Sequence, residues 1–245
     1  MHKTINIMGY EILKDEISVI NLENSRNKIV NTINPHSYVT AKSDKLFKEA
    51  LLSSDILIAD GSGIVLAAKK IHNENIKKTA GADLHHYLLV ELNKKSGTVF
   101  YMGAAPSTLV KIQEKISVEF PNVKVESYSP PFKPDFSSED NELIINKINS
   151  FNPDVLFIGM TAPKQEKWLF LYKDKLNFKV ASSIGAVFDF YAGTVDRPSE
   201  FWIKIHLEWL PRLLKEPKRL WRRNFISTPI FLFDMLLFKF GYKNN

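Results

Sequence analysis

Short hydrophobic runs alternate with segments of helical periodicity along most of the chain. The runs that predict strands cover residues 30–33, 55–59, 98–102, 123–128, 155–159 and 179–183. Apolar positions three or four residues apart predict helices over 37–53, 64–70, 82–94, 108–119 and 138–150, with a further helix that ends near 175. Strands that alternate with helices indicate an α/β fold, in which helices cover both faces of a largely parallel, Rossmann-like sheet.

The two ends of the chain depart from this alternation. Residues 1–20 are predicted to form a short strand pair with Gly9 at the turn, and residues 22–30 a helix. Residues 199–242 are basic, rich in tryptophan and phenylalanine, and predicted to be helical. We therefore expect a main domain over 1–198 and a helical appendage over 199–245, with the boundary near Arg197-Pro198.

Composition and charge narrow the classes of protein that fit. The chain has no cysteine, which excludes structural disulfides and thiolate metal sites. Its first residues are too few and too polar for a signal peptide. The longest apolar segment, 225–240, is interrupted by Pro229, Asp234 and Lys239, so no spanning helix is expected. Residues 199–245 carry nine Lys and Arg against four acids, almost the whole net charge of +6, and predict an anionic partner.

One predicted strand ends on a carboxylate that a glycine-rich turn follows at once. Asp60 closes the strand, and Gly61-Ser62-Gly63 leads directly into a helix. Ligands bind at the carboxyl ends of the strands in open α/β sheets, and the N–H groups at a helix start suit a phosphate. Asp60 is therefore either a base beside a phosphate cradle or the cap of the helix. These residues alone do not choose between the two roles.

Three other predicted strands end in similar turns, at 103–106, 159–163 and 185–186. Several such turns at one sheet edge predict a ligand crevice. None matches Gly-x-Gly-x-x-Gly or the Walker pattern, which argues against a standard dinucleotide or ATP site, and Gly-x-Ser-x-Gly is absent too. The chain has no Asp-x-Asp and no His-x3-His, and the adjacent His85 and His86 point in different directions on a helix, so no metal site is expected.

The basic segment 207–223 interleaves arginines with leucine and tryptophan. Arg212, Arg219, Arg222 and Arg223 are predicted to share one face. Arginine beside aromatic and aliphatic residues is typical of an interfacial membrane helix. The alternative is a helix that packs on the core and turns a charged face to solvent. No nucleic-acid-binding module is recognisable, so we expect no nucleic-acid partner.

A set of short motifs occurs in a specific order between residues 29 and 223. They are Thr32-Ile33-Asn34, Ala59-Asp60-Gly61-Ser62-Gly63, Gly81-Ala82-Asp83-Leu84, Tyr101-Met102-Gly103-Ala104, Pro130-Pro131-Phe132, Ala162-Pro163-Lys164-Gln165-Glu166, Gly185-Ala186-Val187-Phe188-Asp189 and Glu216-Pro217-Lys218-Arg219. Together they resemble the WecG/TagA/CpsF glycosyltransferases of bacterial surface polysaccharides. The resemblance implies an inverting, metal-independent enzyme without a cofactor. It implies transfer from a UDP-sugar to a polyprenyl-diphosphate-linked sugar at the cytoplasmic face of the membrane.

The resemblance also implies roles for individual residues. Asp60 is the expected general base, with Thr32 beside it. The expected donor-binding residues are Asn34, Gly61, Ser62, Gly63, Lys78, Asp83, Gly103, Ala104, Phe132, Gln165, Gly185 and Asp189. Arg212, Arg219, Arg222 and Arg223 are expected to dock the appendage on the membrane and help close the site. The family often has an arginine where this chain has Lys78, which keeps the charge but loses the planar fork that grips a diphosphate.

Several alternatives stay open at this level. N-acetylmannosamine is the favoured sugar, with glucose, glucuronic acid and N-acetylmannosaminuronic acid as alternatives. A homo-oligomer is compatible with the sequence. Two rival classes are a nucleotide-dependent oxidoreductase, which would bind NAD rather than UDP, and a non-catalytic membrane or nucleic-acid adaptor, which would bind no nucleotide sugar.

Overall fold

One mostly parallel sheet of eight strands runs through the described part of the chain, in the order β1-β2-β4-β3-β8-β7-β5-β6. The structure is a computed structural model that describes residues 2–195 and 217–241, together with Trp202, Leu210, Leu213 and Leu214. The strands are β1 (Thr4–Ile7), β2 (Tyr10–Leu13), β3 (Lys28–Ile33), β4 (Ile56–Ala59), β5 (Thr98–Gly103), β6 (Lys124–Tyr128), β7 (Val155–Gly159) and β8 (Val180–Ser183). Only β1 and β2 pair antiparallel among these strands; every other pairing is parallel.

The helices lie between and after the strands. They are α1 (Pro35–Ser43), α2 (Lys45–Leu52), α3 (Ser62–His72), α4 (Gly81–Lys95), α5 (Pro106–Glu119), α6 (Ser138–Phe151), α7 (Lys164–Tyr172), α8 (Val187–Ala192), α9 (Pro217–Arg222) and α10 (Thr228–Lys239). Short 3₁₀ turns occur at Ile17–Val19 and Lys173–Lys175. One turn of π-helix, Arg223–Ser227, joins α9 to α10. No helix within the described ranges has the length and apolar character needed to cross a bilayer.

Alternate residues of the central strands face two different sets of helices. Val30, Ile56 and Ile58 pack with the buried residues of α4, α5 and α8. Leu57 and Ala59 pack on the opposite side with α1, α2, α3 and α10. Helices α6 and α7 cover that same side farther along the sheet. The predicted α/β fold, with helices on both faces of a largely parallel sheet, is therefore confirmed.

The amino-terminal strand pair is confirmed, but the helix predicted over 22–30 is wrong. Residues 28–33 form the long strand β3, and the preceding segment is irregular. The side chains of Asn21 and Ser25 hydrogen-bond to nearby backbone, and Asn27 has a left-handed φ of 52°. Such local side-chain bonds compete with helical backbone bonds and favour turns.

The helix predicted over 37–53 is two helices with a break at Asp44. This residue has extended backbone angles, φ −116° and ψ 96°, which end α1. Its carboxylate then accepts a hydrogen bond from the Phe47 N–H at 2.9 Å and caps α2. A single well-placed aspartate therefore divides a segment whose apolar spacing is continuous.

Helix α10 is part of the hydrophobic core. Phe231 is fully buried and meets the ring of Tyr38 edge-on, with ring centroids 5.4 Å apart. Met235, one turn later, is buried in the same cluster, against α1 and α3. The helical character predicted for the appendage is observed over 217–239, whereas the boundary near Arg197-Pro198 lies outside the described residues.

Candidate functional site at the carboxyl edge of the sheet

Six parallel strands, β3 to β8, bring their following turns to one edge of the sheet. The turns line up there in the order of the sheet. They begin at Asp60 after β4, Asn34 after β3, Ile184 after β8, Met160 after β7, Ala104 after β5 and Ser129 after β6. The crevice predicted from the small turns therefore has a physical basis in strand direction.

Asp60 lies beside Thr32 and Asn34 because β3 and β4 pair in parallel. Thr32 is opposite Ile58 in the register, and the Asp60 N–H donates to the Ile33 carbonyl at 2.9 Å. Asp60 and Thr32 are both half-buried. The predicted base and its predicted neighbour therefore occupy adjacent strand ends.

The turn after Asp60 depends on glycine. Gly61 has a backbone φ of +100°, which residues with a side chain rarely adopt, and it occupies the N-cap position of α3. Asp60 therefore lies one residue before the position that a capping side chain takes. This placement weakens the interpretation of Asp60 as a plain helix cap.

The starts of α1 and α3 are in close contact at this edge. The Asn34 side chain accepts from the Ser37 N–H at 3.0 Å and caps α1. A Cβ placed on Gly63 would lie 2.4 Å from Cγ of Pro35. Two helix N-termini therefore converge beside Asp60, and their positive ends favour an anion there.

The turns that follow β5 and β7 pack closely and are joined by a hydrogen bond. A Cβ on Gly103 would meet the Gly159 carbonyl oxygen at 2.6 Å, and the Ala104 N–H donates to that oxygen at 3.0 Å. The Ser129 hydroxyl in turn donates to the Ala104 carbonyl at 2.7 Å. The Ala104 N–H and carbonyl are therefore both engaged by neighbouring turns.

Gln165 is buried at the start of α7 and is held on several sides. Its Oε1 accepts from the Met160 N–H at 3.2 Å, and its Nε2 donates to Glu166 Oε1 at 2.8 Å. A Cβ on Gly185 would lie 3.4 Å from Nε2. The structure therefore brings Gln165 and Gly185 together, at the ends of β7 and β8.

The remaining predicted donor residues lie on α4, on α8 and in the segments before α4 and α6. Asp83 is exposed, and its carboxylate accepts from the Ala80 N–H at 2.9 Å, which is a capping contact on α4. The Asp189 carboxylate accepts from the Thr194 hydroxyl at 3.3 Å. Phe132 is fully exposed in the loop before α6. Lys78 is half-buried and precedes Thr79, whose N–H donates to the last residue of β4.

Two of the carboxy-terminal arginines, Arg222 and Arg223, lie close enough to His36 at the start of α1 to influence its charge. The His36 ring contacts the Ser227 hydroxyl at 2.8 Å. Burial first, then the charges of Arg223 and Arg222, lowers the pKa of His36. Those two arginines therefore act on a residue two positions after Asn34. Arg212 and the side chain of Arg219 lie outside the described part of the structure.

Three groups that shape this region were not predicted from the sequence: His36, the buried Glu166, and the ion pair of Lys42 with Asp234. Only Asp234 gave a signal, because an acid within the apolar segment 225–240 needs a partner when that segment is buried. Among the described residues, no group of three or more His, Asp and Glu side chains is arranged to hold a metal ion.

A model of the glycosyl transferase WecG/TagA/CpsF family matches residues 5–245. Several similar proteins are named N-acetylglucosaminyldiphosphoundecaprenol N-acetyl-beta-D-mannosaminyltransferase. The protein of Bacillus subtilis (strain 168) is 32% identical over 208 residues, 85% of this chain and 78% of its own. That of Bacillus spizizenii is 31% identical over 215 residues, 88% and 81% of the two chains. That of Staphylococcus aureus (strain MW2) is 25% identical over 213 residues, 87% and 81%.

Proposed function

The chain belongs to the WecG/TagA/CpsF family of glycosyltransferases, as its motifs predicted, and we propose that it transfers N-acetylmannosamine from a UDP-sugar to a polyprenyl-diphosphate-linked N-acetylglucosamine. The names of its relatives support the sugar and the acceptor. The observation that carries the proposal is the position of Asp60 at the end of β4, beside Thr32 and two converging helix starts. The product would serve surface-polysaccharide synthesis.

The proposed chemistry is a single displacement. The acceptor hydroxyl oxygen attacks the anomeric carbon, its proton passes to the Asp60 carboxylate, and the bond from that carbon to UDP breaks. One such step inverts the configuration at the anomeric carbon. A base held within hydrogen-bond reach of the hydroxyl supplies roughly 10²–10⁴ in rate.

The leaving UDP gains negative charge, which this chain can stabilise without a metal ion. The N–H groups at the start of α3 face the edge where Asp60 lies, and a helix N-terminus favours an anion. Arg223 and Arg222 add positive charge near His36, at the start of α1. We therefore propose that the reaction needs no metal ion, which a transfer assay in the presence of a chelator tests.

We further place the enzyme on the cytoplasmic face of the membrane, as a peripheral protein. The face of the C-terminal segment that points away from the core is apolar and exposed. Its members are Phe225, Ile226, Ile230, Phe233, Leu236 and Phe240, named here the outer face. Arg222 is exposed just before them. An apolar helix face beside basic residues is suited to the lipid interface, where each basic residue contributes about 1 kcal/mol.

The test is a transfer assay with a synthetic prenyl-diphosphate-N-acetylglucosamine acceptor. UDP-N-acetylmannosamine, UDP-glucose, UDP-glucuronic acid and UDP-N-acetylmannosaminuronic acid are offered in parallel, with a chelator. We expect UDP release and a disaccharide lipid with the first donor.

The Asp60→Asn variant should lose about a hundredfold or more in kcat while it keeps UDP affinity within a few-fold. Asp174→Asn, on an exposed 3₁₀ turn, is the control. Turnover by Asp60→Asn equal to that of the control would refute the base assignment.

A further inference from the structure

Glu166 is a buried acid with only one of its two carboxyl oxygens in use. Its exposed fraction is 6%, and Oε1 accepts the hydrogen bond from Gln165. Oε2 is buried and has no hydrogen-bond partner among the described residues. A buried carboxyl group without a counter-ion is costly, so its presence here needs a reason beyond packing.

The hydrogen bond from Gln165 to Glu166 determines how the Gln165 amide is oriented. The Met160 N–H requires an oxygen opposite it, and Glu166 Oε1 requires a donor. A flipped amide would set two donors together at Met160 and two acceptors together at Glu166. Gly185 lies against the amide, because a Cβ there would be in van der Waals contact with Nε2 at 3.4 Å and with Oε1 at 3.5 Å. One N–H of Nε2 donates to Glu166, and the same nitrogen carries a second N–H.

Within the described ranges, the surroundings of Glu166 supply no ionic partner. Strands β7 and β8 carry no charged residue. Among the described residues, the charged groups on the other elements that pack against Glu166 form no ion pair with it. Those groups are Lys164 and Lys167 on α7, Asp44, Lys45, Lys48 and Glu49 at α2, and Lys173, Asp174 and Lys175 in the following turn. Burial raises the pKa of Glu166 to about 7, against the opposing effect of the hydrogen bonds from Gln165 and its own backbone. The protonated and ionised forms therefore coexist near neutral pH.

We propose that Glu166 is a positioning residue that fixes the Gln165 amide for the nucleotide-sugar donor. The inference deepens the proposed function and rests on it, because Gln165 is a predicted donor-binding residue that Glu166 would orient. It assigns a task to a buried acid that takes no part in the displacement at Asp60. Glu166 would act only through Gln165, without contact to the substrate.

Three variants separate positioning from a purely structural role. Glu166→Leu removes the acceptor and should raise the KM for the donor about tenfold with a small change in kcat. The same variant should keep or raise thermal stability, because a buried uncompensated carboxyl group is replaced by an apolar one. Glu166→Gln offers an amide oxygen to Gln165 and should restore the donor KM. In a Gln165→Ala background, Glu166→Leu should have no further effect on KM.

The pH profile gives a second readout. Wild-type kcat/KM for the donor should change through an apparent pKa near 7, and the Glu166→Gln variant should lack that step. An unchanged KM in Glu166→Leu, or additive effects of Glu166→Leu and Gln165→Ala, would overturn the inference. Calorimetric titration with UDP keeps the two proposals apart. If the wild type binds no UDP the proposed function fails, whereas normal UDP binding with an unaffected Glu166→Leu variant refutes the positioning role alone.

Discussion

The carboxylate of Asp234 accepts a hydrogen bond from the Lys42 ammonium at 2.6 Å, across 192 positions of sequence. The Asp234 side chain is only 5% exposed, whereas that of Lys42 is 42% exposed. Burial, followed by the charge and hydrogen bond of Asp234, also raises the pKa of Tyr38. The contact joins α10 to α1, whose first residues lie beside Asp60. The geometry of the site therefore depends on how the C-terminal segment is seated.

Replacing Lys42 should lower the free energy of unfolding more than replacing Asp234. Lys42→Ala removes a charged hydrogen-bond donor from a buried carboxylate, and we expect it to lower the free energy of unfolding by about 1–3 kcal/mol. Asp234→Asn keeps a hydrogen-bonding group at the buried position and leaves a lysine that solvent can reach, so its effect should be smaller. Urea unfolding of both variants measures the difference.

The control for this pair is Lys45→Ala, which breaks the exposed contact of Lys45 with Glu49 at 3.9 Å. An exposed pair of this kind contributes little, so its loss should change stability by less than about 0.5 kcal/mol. If Lys42→Ala proved as mild as this control, α10 would not be held through Asp234.

Gly63 should tolerate no side chain. A Cβ there would lie 2.4 Å from Cγ of Pro35, so α1 and α3 would be pushed apart, whereas its 3.6 Å distance to the Phe231 ring of α10 is an ordinary contact. Gly63→Ala should destabilise by about 1–3 kcal/mol, as overpacking does elsewhere. Gly81→Ala, also in the first turn of a helix, meets Val187 at a milder 3.3 Å and serves as comparison. Equal unfolding free energies for the two variants would contradict the tight junction.

The outer face of the C-terminal segment should control membrane binding without affecting folding. Phe233 and Phe240 are 61% and 73% exposed, so replacing both by serine removes little from the core. Vesicles with anionic phospholipid should bind this double variant at least about tenfold more weakly, since each buried Phe contributes about 1.5–3 kcal/mol. Stability should stay within about 0.5 kcal/mol.

The matched control replaces Val118 and Leu171 by serine, two apolar residues with 80% and 56% exposure on other helices. Vesicle binding by that control should equal wild type. Sedimentation with vesicles checks both proteins, and a similar loss in the two would mean that general surface hydrophobicity, not the outer face, determines binding.

The strand–turn–helix unit around Asp60 could be predicted because its signals are local. A buried strand, an aspartate and two glycines lie within a few residues, and parallel pairing then places Thr32 next to them. The break at Asp44 and the irregular segment before β3 could not be predicted from apolar spacing, since single side chains decide them by bonding to backbone. Lys42 and Asp234 meet only through the tertiary fold, and the burial of Glu166 is likewise invisible in its motif.

We expect Glu166 to make the free energy of unfolding depend on pH. Its pKa is about 7 in the folded protein, raised from 4.5 by burial. Between these values the unfolded chain releases a proton that the folded protein retains, so stability falls as pH rises from 4.5 to 7 and then stays at the lower level as far as this group is concerned. The loss amounts to about 3 kcal/mol over the window.

Glu166→Gln isolates this contribution from that of other groups. The lowered pKa of His36 has the opposite sign, because the unfolded chain then binds the extra proton and stability rises with pH. Both proteins contain His36, so the difference between their urea unfolding curves at several pH values cancels it. The variant should be the more stable protein by a margin that grows from pH 4.5 to 7 and then levels off. A constant difference across that range would mean that Glu166 keeps an ordinary pKa in the folded protein.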